Sequence, residues 1–195
     1  MTSGQRVGLL LVAGASLAGR SSPGHAQSAG VSLEELTATP DSSAALFLRS
    51  VRAIRWSAAA QFLDPETLDR FRTTVTMISD ADTTGDVRSY LVGVDSAGLA
   101  VLEAATVFDR AIGVMIEGMP GLMHSIYDRD DEVLGHVLEG DSHAHVVYRT
   151  AARISGAVPE VKVMQMRRGA AGWRVAWSDE LEVLEAALRG VPRGR

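Results

Sequence analysis

The chain has 195 residues, a formal net charge of −5 and no cysteine. That length fits one domain with its own buried core. The acidic balance, with Lys162 as the single lysine beside 18 arginines, offers no clustered basic face for a phosphate backbone, and the lack of thiols excludes a disulfide framework or a cysteine nucleophile.

In chain order, the first 26 residues have the pattern of a secretory signal. Arg6 supplies the positive start, Val7 to Gly19 is an apolar run, and Gly24-His25-Ala26 places small residues at a cleavage site. The run is too short to span a bilayer, and Arg20 stands where a lipoprotein box needs its cysteine. The expected product is exported, periplasmic or extracellular, with no membrane anchor after cleavage. Residues 27–40 are polar and aperiodic, as in a flexible tether. A single domain is expected over 41–190, with 191–195 as a disordered tail.

Asp41 or Ser42 can cap a first helix carrying Leu46, Phe47, Val51 and Ile54 at helical spacing. Arg49, Arg52 and Arg55 fall between them, as on a solvated face. Trp56 begins a short second segment. Asp64-Pro65-Glu66 is a strong helix start, with Asp as N-cap and Pro at the first helical position, and Leu68, Phe71, Val75 and Ile78 form the stripe behind it. Asp80 to Asp86 matches the first half of a calcium loop. Arg88 and Leu91 then occupy the positions of later ligands, so an ordinary Asp/Gly turn is the expectation.

Tyr90 to Val94 reads as a short strand, and residues 96–127 as helix interrupted at Gly118-Met119-Pro120-Gly121. Met115, Met119 and Met123 recur at i, i+4 and i+8. Such methionines fill a core or line an adaptable pocket, and Asp109, Arg110 and Glu117 are the titratable groups nearest them. From Asp131 the period becomes two. Four antiparallel strands are expected, at 132–139, 143–155, 160–168 and 173–178, joined by short Gly-containing turns. Ser178 caps a closing helix with Leu181, Val183, Leu184, Ala187 and Leu188 on its apolar side.

His136, His143 and His145 form the one constellation with metal-ligand chemistry. A two-residue turn at Gly140-Asp141 sets Glu139 opposite Ser142 and His136 opposite His145, which puts three imidazoles on one face, a set suited to zinc, copper or non-haem iron. A three-residue loop moves His136 to the other face. Otherwise no cofactor is implied.

The order of elements, with FLRSVRAIRWSAAAQFLDPETLDRF near the start and Gly172-Trp-Arg-Val-Ala-Trp177 at the end of the strands, resembles the nuclear transport factor 2-like superfamily. That resemblance covers residues 41–178. It implies an α+β cone: N-terminal helices packed on a curved antiparallel sheet of about four strands, here with a helical middle insertion and a C-terminal helix. The family's Gly-Asp-Trp turn is matched only in Trp56. Its isomerase type uses a tyrosine on the early helices and aspartates in the cavity, and this chain has no tyrosine between 41 and 79. No catalytic residue carries over. Asp109, Met115, Met119, Tyr148 and Tyr90 are the candidates to line a pocket, with His136 and His145 beside them. Two classes of function stay open: a non-catalytic exported module that binds a small apolar ligand or a partner protein, and a small isomerase, dehydratase or hydrolase acting on a hydrophobic molecule. The missing acid–base pair favours the first. A homodimer formed through the sheet is a further expectation from the resemblance.

Overall fold

The structure, a computed structural model, describes residues 32–190 except 120, 122–125 and 127. The expected export signal, the first part of the tether, the C-terminal tail and Met123 lie outside the described residues. Among those described, no helix is long and apolar enough to cross a membrane.

The chain folds as α+β, with helices packed on a four-stranded antiparallel sheet that does not close on itself. The helices are α1 (Leu33–Leu36), α2 (Pro40–Arg52), α3 (Trp56–Ala60), α4 (Pro65–Ala81), α5 (Asp86–Val92), α6 (Ser96–Val101) and α7 (Ala104–Gly118). The strands β1 (Arg129–Glu139), β2 (His143–Ala152), β3 (Glu160–Gly169) and β4 (Gly172–Trp177) follow, then α8 (Asp179–Arg189). Strand order is sequential, β1-β2-β3-β4, as the short connections require.

The local chemistry explains most boundaries. Asp64 accepts from the Glu66 N–H and Pro65 opens α4, while Ser178 accepts from the Leu181 N–H at the start of α8. The helix expected behind an Asp41 or Ser42 cap is α2, and it begins at Pro40, because Thr39 takes the capping role and Pro40 fits the first helical position. Ile54 then lies outside the helix with φ of 55° and is exposed. The supposed tether is folded from Leu33 on: the Thr37 hydroxyl donates to the Ala171 carbonyl at 2.8 Å, and the Thr37 carbonyl accepts from the Trp173 N–H at 2.8 Å. Gly172, with φ of 90°, permits this approach, since a Cβ there would stand 2.3 Å from the Thr37 hydroxyl oxygen.

Two element assignments change. Tyr90–Val94 is not a strand. Val87, Leu91 and Val92 are buried on α5, and the i, i+4 spacing suits the helix that Gly85 and Gly93 bracket. The long helix expected from residue 96 divides at Leu102-Glu103, where the backbone becomes extended before α7. The acid-rich turn is local: Asp82 accepts from the Thr84 N–H and hydroxyl and from the Val87 N–H, the last at 2.8 Å. Those donors hold its carboxyl below the usual range, the Val87 amide contributing most.

The inner face of the sheet carries Ala144, Val146, Tyr148, Met164, Met166 and Val175, each at most 1% exposed. Phe47, Leu48 and Val51 of α2 fill it from the N-terminal side, and Leu181, Leu184 and Leu188 of α8 lie in the same core. Phe108 of α7 meets Phe71 edge-on at 5.1 Å and Trp56 at 6.5 Å. Side chains therefore occupy the space between helices and sheet.

Candidate functional site

At the inner face, four polar side chains meet in this apolar setting. Arg52, at the end of α2, faces Asp131 of β1 with Nη2–Oδ1 and Nε–Oδ2 separations of 2.8 and 2.5 Å, and reaches Oε1 of Glu180 at 3.4 Å. The Tyr148 hydroxyl donates to the other Glu180 oxygen at 2.8 Å. The Arg52, Asp131 and Glu180 side chains are only 10%, 6% and 6% exposed. Burial alone would lower the Arg52 pKa. The hydrogen bond and charge of Asp131, with Glu180 behind them, outweigh that and hold it above its ordinary value. For Tyr148, burial first and then the Glu180 carboxylate push the phenol well up, so it serves as a neutral donor. Each charge in this group faces a partner of opposite sign.

Arg52 thus departs from the solvated row expected of Arg49, Arg52 and Arg55. Residues 44, 48 and 52 follow one another at i, i+4 and i+8, with Ala44 and Leu48 buried, so position 52 lies on the buried stripe although its residue type suggests otherwise. Glu185 repeats the pattern between Leu181 and Leu188. It is 3% exposed and accepts from Arg70, Arg189 and Thr74. Around it a polar cleft of about 620 Å³ is lined by Asp64, Arg70, Arg167, Trp177 and Arg189 among others, in which the Arg70 guanidinium lies 4.1 Å from the Trp177 ring centre.

The histidines do not converge. β1 and β2 are joined by the three residues Gly140, Asp141 and Ser142, so Glu139 pairs with His143, Val137 with His145 and His136 with Val146. Paired residues share a face. His136 therefore lies on the inner-face side, bonded to Asp41 at 2.9 Å, while His143 and His145 are on the outer face, where His145 meets Glu139 at 2.8 Å. That bond is the chief reason the Glu139 carboxyl sits below its usual range. Among the described residues no three or more His, Asp or Glu side chains form a metal-binding group.

The other expected pocket residues also separate. Met115 is core and Met119 packs partly against it. Tyr90 is 55% exposed on α5, Asp109 is half-buried on α7, and Tyr148 belongs to the polar group above. The outer face of the sheet is the contrasting surface: Val137, Val161 and Val163 are 64%, 65% and 49% exposed, and Leu134, at the β1 bulge, is 49% exposed.

No protein-family model, curated protein or solved structure matches this chain.

Proposed function

We propose that the protein is an exported, non-catalytic binding module of the cone type that acts through the outer face of its sheet, with a second copy of the chain as its occupant. The observation that carries this reading is the contrast between the two faces. The inner face is filled with side chains, its polar groups fixed in pairs, whereas the outer face leaves valines of β1 and β3 in water. Contiguous exposed apolar surface of this kind marks association sites.

The charged groups of this face are matched within the chain, Arg149 with Glu132, Arg153 with Asp130 and His145 with Glu139, so what the face leaves unmatched is its apolar strip of Val147, Val161 and Val163. A two-fold axis along the strands lays that strip against the same strip of a second copy. Export, the cone family and the absence of catalysis rest on the sequence pattern and on this filled interior.

Light scattering on the full chain tests the reading. The expected mass is that of a dimer, and Val163→Glu should give a monomer with an unchanged circular dichroism spectrum. A wild-type chain that stays monomeric across the accessible concentration range defeats it.

A further inference from the structure

A cleft of about 400 Å³ separates α2 from the first half of β1. Ala45, Leu48, Arg49 and Arg52 line it from the helix, at spacings that share one helical face, with Ala53 just past the helix end. Arg129, Asp130, Asp131 and Val133 line it from the strand, and Arg153 stands at its end. The lining therefore holds four guanidinium groups and two carboxylates around an apolar strip of Ala45, Leu48, Ala53 and Val133.

The charges are not equally engaged. Arg52 is committed to Asp131 and Glu180, and Arg129 bonds Thr150 and Glu160 at 3.0 Å each. Arg153 pairs with Asp130 at 2.8 Å. Glu160 and Glu180 are themselves outside the cleft lining. Arg49 has neither an ion pair nor a hydrogen bond from its side chain among the described residues. It projects one turn before Arg52 on the same face, so an unmatched fork of N–H donors stands at the rim of a cleft with a fixed ion-paired floor.

We propose that this cleft binds a small organic carboxylate with an apolar body. The carboxylate accepts the paired N–H donors of Arg49, a geometry the guanidinium fork suits, and the body lies along Ala45, Leu48, Ala53 and Val133. One unmatched guanidinium neutralises one negative charge. A phosphate dianion needs a second free cation, which the cleft supplies only by breaking Arg153 from Asp130. A neutral apolar molecule leaves Arg49 unanswered and passes charged groups at the rim. The cleft shares only Asp130 and its partner Arg153 with the outer face, and none of the outer valines lines it, so it does not depend on the dimer reading.

Isothermal titration of the full chain with octanoate, octanol and inorganic phosphate tests the proposal, alongside Arg49→Gln and Ala45→Leu. Octanoate should bind the wild type in the range up to about 1 mM, and loss of the charged fork in Arg49→Gln should weaken it by about tenfold or more. Octanol should bind at least about tenfold more weakly than octanoate, and Ala45→Leu should block the body while leaving the circular dichroism spectrum unchanged. Among the described residues Arg49 has no partner to lose, so its variant keeps the fold. No octanoate binding in the wild type, equal binding by octanol, equal affinity in Arg49→Gln, or phosphate binding tighter than octanoate would each overturn it. Val163→Glu leaves octanoate binding unchanged, which separates this site from the sheet-face interface.

Discussion

The Tyr148 hydroxyl is 2.8 Å from Oε2 of Glu180, inside the core, where the same carboxylate also faces Arg52. Tyr148→Phe removes that donor and leaves a buried carboxylate oxygen under-satisfied. The expected cost is about 2 kcal/mol, in the range for a hydrogen bond to a charged group, read from the shift of the urea midpoint at constant slope. A shift near zero would mean that water replaces the phenol.

Arg52→Met leaves Asp131 and Glu180 together without their cation. Loss of one partner from a buried ion pair costs about 3–5 kcal/mol. Urea unfolding at neutral pH measures this, and a midpoint shift near zero contradicts the account.

The Asp82 carboxyl is held below the ordinary range by the Val87 and Thr84 donors, so its contribution is present above the unfolded carboxylate pKa and is lost as pH falls through the depressed folded value. Asp82→Ala should lower the melting temperature at neutral pH, and the gap to wild type should narrow in acid. A gap that is constant with pH would assign the effect to backbone packing alone.

Arg174 is 9% exposed, and among the described residues its one hydrogen bond is a 3.4 Å contact with the neighbouring Trp173 carbonyl. Burial lowers its pKa. A weakly partnered buried cation is a stability cost, so Arg174→Met should raise stability by about 1 kcal/mol in a urea titration. Destabilisation would show that the guanidinium is held by more than this contact.

Gly172→Ala should destabilise the fold by about 2 kcal/mol, since it combines positive φ with a clash at Thr37. Proteolysis near residues 33–39 should accelerate in the same variant, because the N-terminal segment is docked there. Unchanged protection would separate that segment from β4.

Elements with a period and a punctuation mark were readable from residues alone: α4 behind Asp64-Pro65, the four strands with their Gly-containing turns, and α8 behind Ser178. Their faces were less so. Arg52 and Glu185 sit on buried stripes where residue type argues for solvent, and their charged partners, Asp131 and Glu180 for the one and Arg70 and Arg189 for the other, make those positions tenable. The α5 helix was missed because the five residues Tyr90 to Val94 read equally as strand, and length alone separates the two. The cleft between α2 and β1 had no local signature at all, since its two walls are some 80 residues apart, the same separation that brings Arg52 to Asp131.

Ser142 is the third residue of the loop between β1 and β2, and the count of three is what assigns His136 to one side of the sheet and His145 to the other. A turn made on Gly140 and Asp141 alone would bring Ser142 into the strand opposite Glu139, move the pairing by a single step and reverse the side presented by every position of the shifted strand. Where the imidazoles stand in this hairpin is therefore set by how many residues the turn takes up, with all three histidines unchanged.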